Sequence, residues 1–209
     1  MEIQYFGANC VRLSTKKASI IIDDNLSELG QKSVTKNGEI ALFTGAHGDS
    51  SSKTEEKIVI DQPGEYEVAD TSVHGIAARA HIDEEGKYNS TIFKVVDDDV
   101  RVVIAGHIYP DLTDEQLEQI GMVDVLIIPV GGNGYTLDGV GALKIIRKID
   151  PKVVIPTHFD EAGFNFPVPQ QPLAEALKAL SMEPKETTPK FKVKLAELTD
   201  TTQLIVLEK

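Results

Sequence analysis

Cysteine is nearly absent: Cys10 stands alone in 209 residues. A lone thiol excludes an internal disulfide and any zinc cluster built from several cysteines, and a place between Phe6 and Leu13 suits a buried side chain better than a catalytic one. Basic residues are short as well, 21 against 33 acidic ones, giving a formal net charge of −12. Affinity for a phosphate backbone comes from clustered Lys and Arg, so this balance argues against nucleic acid as a partner. No apolar run approaches the roughly 18 residues of a membrane span, and Met1-Glu2-Ile3 lacks the basic and long apolar regions that open a secretory signal. These absences lead to the expectation of a cytoplasmic protein with no membrane partner. No internal linker interrupts a chain that is 41% hydrophobic, so residues 1–209 are expected to form a single domain around one substantial core.

What the chain does contain is short apolar runs separated by turn-forming clusters. Glu2–Phe6, Cys10–Ser14 and Ser19–Ile22 read as three strands joined at Gly7-Ala8-Asn9 and Thr15-Lys16-Lys17, with Asp23 ending the third. Asn25 to Asn37 is polar and without a clear period, and Gly38 stops it. Ile40–Phe43 fits a buried strand that breaks into a small-residue loop carrying His47 and Asp49. Lys57–Ile60, Tyr66–Ala69 and Ser72–Ala80 are further strand candidates, and His81 stands at the far end of the last. Ser90–Val96 and Val100–Ala105 form a hairpin around Asp97-Asp98-Asp99, after which comes Gly106-His107.

Helices enter in the second half. Thr113 and Gln116 have the spacing of a capping box that opens a short helix through Ile120. Val123–Val130 is apolar almost throughout, as a strand covered on both faces would be. The loop after it holds Gly131, Gly132 and Tyr135, with no Lys-Ser/Thr pair behind the glycines, which sets it apart from a phosphate-binding loop. Asp138 can cap the next helix, on which Val140, Leu143 and Ile146 are expected to share a face, and Asp150-Pro151 stops it. Val153–Ile155 is a buried strand closed by Pro156-Thr157-His158-Phe159. A helix with Leu173, Ala176, Leu177 and Leu180 at helical spacing follows, then a proline-rich connection and a last strand, Gln203–Leu207.

Four of the five histidines, His47, His81, His107 and His158, follow strand candidates, where loops at the mouth of a sheet gather reactive groups, whereas His74 lies mid-strand. The stretch IALFTGAHGDSSS resembles the metal-binding loop of the metallo-β-lactamase superfamily, whose pattern is His-x-His-x-Asp-His after a strand. On that pattern His47 and Asp49 keep the inner ligand positions, while Gly45 and Ser50 replace the outer histidines. The phrases PGEYE, LTDEQL and PVGG resemble the branch of the superfamily named as metal-dependent hydrolases, and the likeness runs over nearly the whole chain.

The resemblance implies an α/β fold of the α+β kind, a four-layer αββα sandwich. It implies metal ligation by His47, Asp49, His81, His107 and His158, with Asp49 also the candidate catalytic base. Asp23 would hydrogen-bond the ligand loop rather than touch metal. Gly131, Gly132 and Tyr135 would lie near the substrate mouth. Many relatives have an aspartate at the position of His107 that bridges two ions, and an imidazole offers one lone pair to one ion. The expectation is therefore one ion, zinc first, manganese or iron next, serving hydrolysis of a small-molecule ester, lactone or phosphoester. The competing expectation is a family member without catalysis or metal, acting as a binding or scaffold protein, which would explain Gly45, Ser50 and a turn, Gly7-Ala8-Asn9, that lacks the family's histidine. Oligomeric state is not encoded in these features.

Overall fold

Short apolar strands in the N-terminal third build the first sheet. The computed structural model describes residues 1–45, 56 and 58–209. In it β1 (Glu2–Gly7), β2 (Cys10–Ser14), β3 (Ser19–Ile22), β4 (Ile40–Leu42) and β5 (Ile58–Ile60) lie side by side in chain order. The first three are antiparallel, and β3, β4 and β5 are parallel. Successive side chains of a strand point to opposite faces. Ile20, Ile22, Ile40 and Leu42 accordingly join the core shared with the second sheet, while Cys10, Ile21 and Ala41 pack outward under Leu26, Leu29, Phe164 and Phe166. Cys10 is a fully buried free thiol, as its apolar surroundings led us to expect.

The second sheet starts as a meander of β6 (Gly64–Val68), β7 (Thr71–Ala78), β8 (Ser90–Asp97) and β9 (Val100–Ile104). It continues in parallel through β10 (Val125–Pro129) and β11 (Val153–Thr157), both buried along their whole length. β12 (Pro184–Thr188), β13 (Lys190–Lys192) and β14 (Gln203–Leu207) follow; β14 lies beside β11 and β12 beyond it, while β13 crosses to pair with β1. The connection after Leu180, which reads as a loop in sequence, thus contains two edge strands. Their exposed Lys and Glu side chains carry no apolar alternation, so pairing with covered neighbours makes them strands.

Among the described residues, three α-helices complete the sandwich: α1 (Asp114–Ile120), α2 (Gly139–Ile149) and α3 (Leu173–Leu180). Both bonds of the capping box form on α1, Gln116 N–H to Thr113 Oγ1 at 3.2 Å and Thr113 N–H to Gln116 Oε1 at 2.9 Å. Asp138 caps α2 by accepting from Gly141 N–H at 2.7 Å. The expected face of α2 needs correction. Ala142, Ile145, Ile146 and Ile149 are buried, Leu143 is half-buried and Val140 is 67% exposed. Gly139 lies so close to Ala176 and Ala179 that α3 sets the rotation of α2, leaving Val140 outside. Two mixed sheets packed face to face with helices outside give the expected sandwich. No helix among the described residues is long and apolar enough to cross a membrane.

Strand direction decides where the loops meet. β7 and β9 are each antiparallel to β8 and therefore run the same way, and β10 and β11 run with β9. Their carboxyl ends, Ala78, Ile104, Pro129 and Thr157, share one edge of the sheet, the edge where ligands bind in open sheets with parallel strands.

Candidate metal centre

From that edge emerge the loops with His81, His107 and His158. An isolated antiparallel bridge between Ala80 and Ile108 extends the sheet, and the His81 N–H donates to His107 O at 2.7 Å, so these two residues are held side by side. His158 adopts a left-handed φ of 51°, and its N–H donates to Ala8 O at 2.7 Å, tying the end of β11 to the turn between β1 and β2. The rings of His107 and His158 stand 4.6 Å apart at 88°. Tyr135 packs against both, at 5.3 and 6.0 Å, and Phe166 covers His158 at 5.0 Å.

Burial pushes the His107 imidazole well below its ordinary pKa, and the neighbouring His158 and His81 push in the same direction. His158 falls from 6.5 to about 4, again through burial, with its hydrogen bond to Gln170 working the other way. Both rings are neutral at pH 7 and each keeps one nitrogen lone pair. Among the described residues, His107 Nε2 and His81 Nδ1 are buried without a hydrogen-bond partner. Buried polar atoms are nearly always bonded, so the complement of these two imidazole nitrogens lies outside the described residues.

Beneath the histidines lies a buried polar network. Asp23, at φ 50°, accepts from Asn9 Nδ2 at 2.5 Å, Thr44 N–H at 2.7 Å and Thr44 Oγ1 at 2.6 Å, and Thr157 Oγ1 donates to Asn9 Oδ1 at 2.7 Å. Asp23 thereby holds the chain just before Gly45 and, through Asn9, the residue before His158. Gly106, at φ +63°, passes under Thr44 so closely that a Cβ would collide with its hydroxyl.

A cavity of about 700 Å³ opens over this floor, bordered by Asp23, Thr44, Gly45, His81, His107 and Tyr135. A second of about 350 Å³ shares His81 and includes Gly132. Gly131 instead lies against Gln170 and the His158 carbonyl. His74 is half-buried on β7, opposite Glu65 on one neighbouring strand and Lys94 on the other. His47, Asp49 and Ser50 lie outside the described residues.

The donor chemistry fits a metal: neutral imidazoles with free lone pairs and an oriented partner behind one of them. Among the described residues, however, no three of His, Cys, Asp or Glu are grouped to hold a single ion. Residues that sequence reasoning missed are Gln170, Thr44 and Thr157. Gln170 lies in the proline-rich stretch after β11, where nothing in the pattern marks a partner for a histidine 12 residues away.

Comparison with known proteins places these features. Residues 2–158 match the family model of the β-lactamase superfamily domain. A metal-dependent hydrolase of Carboxydothermus hydrogenoformans is 43% identical over 44 residues, 21% of this chain and 19% of that protein, so the match spans about a fifth of that relative. A Thermotoga maritima crystal structure, of a protein assigned as a zinc-dependent hydrolase of the metallo-β-lactamase superfamily, superposes with a TM-score of 0.76 at 23% identity over 100% of both chains. A protein from Parabacteroides distasonis assigned as a metal-dependent hydrolase reaches 0.64 at 19% identity, over 99% of this chain and 93% of that one. At these identities the structural likenesses speak for the fold.

Proposed function

The chain belongs to the β-lactamase superfamily domain family, and from that premise we propose that it is a metal-dependent hydrolase of a small ester, lactone or phosphoester, working with one ion. Zinc suits the donor set first, with manganese or iron next. The observation that carries the reading is the pair of neutral imidazoles His107 and His158 in ring contact, with His107 and His81 on the wall of a cavity and, among the described residues, the Nε2 of His107 and the Nδ1 of His81 buried and unpartnered.

The residues divide the work as follows. His81, His107 and His158 offer nitrogens from one edge of the sheet, and in this proposal the ion draws three or four ligands from among these three, His47 and Asp49. The chemistry a bound dication supplies is Lewis-acid activation of water and of the scissile bond. Asp49, the single carboxylate among the five, takes the proton as general base. Tyr135 walls the cavity and packs against the rings of His107 and His158. One ion is favoured because the imidazole of His107 cannot give an oxygen to each of two, and two dications a few ångströms apart would repel with little between them.

The alternative reading, a binding or scaffold protein without catalysis, draws on Gly45. It borders the cavity with nothing among the described residues within 4 Å of where a Cβ would stand, at a position where relatives carry a ligand and this chain has no side chain. The test is elemental analysis of protein loaded with zinc or manganese, together with a screen of neutral esters, lactones and phosphoesters. One ion per chain with turnover supports the hydrolase; no ion under any loading condition transfers support to the alternative.

A further inference from the structure

We infer that Gln170 is a positioning residue that holds His158 in one tautomer, protonated on Nδ1, and so leaves the lone pair on Nε2, on the ring edge away from Gln170. The inference rests on the metal-centre reading for what Nε2 meets; the tautomer is a property of the chain alone.

The amide of Gln170 is pinned at both ends. Its Oε1 stands 3.1 Å from His158 Nδ1, and its Nε2 donates to Val168 O at 2.9 Å. A side-chain amide has one donor end and one acceptor end. Turning it around would set Oε1 against the Val168 carbonyl, two acceptors facing each other, so the acceptor end faces the imidazole. Only a protonated Nδ1 satisfies that acceptor. A neutral imidazole carries a single N–H, and the lone pair is therefore on Nε2. His158 is 3% exposed and Gln170 6%, which leaves water little access to compete for the bond.

The backbone explains how a residue from an irregular loop is fixed so well. Gln171 N–H donates to Gly131 O at 2.8 Å, and Asp160 N–H donates to Gln171 O at 2.9 Å, clamping the loop against the ends of β10 and β11. Gly131 has no Cβ, and one placed there would collide with Gln170 Oε1 and with the His158 carbonyl. This gives Gly131 a role distinct from substrate contact: its bareness lets the Gln170 amide reach the imidazole.

The experiment uses the full chain labelled with ¹⁵N-histidine, metal-free, in two-bond ¹H–¹⁵N correlation spectra of the imidazoles. Wild type should show His158 with Nδ1–H and an unprotonated Nε2. Gln170→Met, similar in shape but without the acceptor, should shift the ring toward the other tautomer or into exchange, and should weaken zinc binding about 10–100-fold in competition with a chromophoric chelator. Gln170→Glu keeps an acceptor for Nδ1–H but has no N–H for Val168 O, so it should hold the Nδ1–H tautomer while recovering only part of the affinity. An Nε2–H tautomer in wild type, or an unaltered tautomer in folded Gln170→Met, overturns the inference; if Gln170→Met does not fold, the wild-type and Gln170→Glu spectra decide it. A tautomer that responds to Gln170→Met in a protein that binds no zinc would uphold the inference while removing the metal reading. Tight zinc binding with a tautomer indifferent to Gln170 would do the reverse.

Discussion

His107 and His158 meet edge to face, ring centroids 4.6 Å apart, although the strands that deliver them, β9 and β11, are separated by β10. The loops at the carboxyl edge close that distance. Contact is tolerable because burial keeps both rings uncharged; two imidazolium ions at this spacing would repel in a poorly solvated setting. The same burial that forbids protonation leaves lone pairs free for another cation.

Zinc titration should therefore saturate at one ion per chain. His107→Ala and His158→Ala should each lose most of that affinity, at least about 10–100-fold given that supporting residues alone contribute that much. Two tightly held ions in wild type would refute the single-ion reading.

Gly45→His should fold normally, since the backbone there has no left-handed requirement and the Cβ position is open among the described residues. Supplying an imidazole at the cavity wall should raise zinc affinity. Unchanged affinity in the folded variant would show that position 45 does not face the ion.

Gly106→Ala should be costly. A side chain at φ +63° is strained by about 1–3 kcal/mol, and its Cβ must also displace the Thr44 hydroxyl that donates to Asp23. Urea unfolding should show a loss of that size or more, and a loss under about 0.5 kcal/mol, the scale of ordinary surface substitutions, would mean the loop relaxes freely.

Arg12 and Glu39 form a buried pair at 2.7 Å beneath the first sheet. Burial alone would raise the Glu39 carboxyl, but hydrogen bonds from Arg12, Ser19 and the Lys36 N–H outweigh it and hold the group below 4.5. A carboxylate depressed in the folded state stabilises above its unfolded pKa, and that stability drains away as pH falls through the lower folded value. Arg12→Met, which strands the carboxylate, should cost about 3–5 kcal/mol near pH 7. The gap between variant and wild type should narrow in acid below about pH 4; a gap independent of pH would mean that lost packing, not the charge pair, is responsible.

His74→Ala and Cys10→Ala should leave zinc content unchanged, because one side chain sits mid-strand on β7 and the other packs outward from β2. Metal loss in either variant, with the far-ultraviolet circular dichroism intact, would show the site misplaced.

The sequence by itself determined the local elements. Short apolar runs between turn-forming clusters marked β1 to β3, continuous apolar runs marked β10 and β11, and Thr113 and Asp138 marked helix starts, because these signals depend only on neighbours along the chain. It also placed His81, His107 and His158 beyond strand ends. Tertiary structure decided which ends share an edge, since that depends on the order and direction of strands across the sheet. It turned Val140 outward through the approach of α3 to Gly139, made edge strands of the polar segments at Pro184–Thr188 and Lys190–Lys192, and gave Asn9 a link between Asp23 and Thr157. It alone brought Gln170 to His158, for a hydrogen bond between two loops leaves no period and no spacing rule in the chain that makes it.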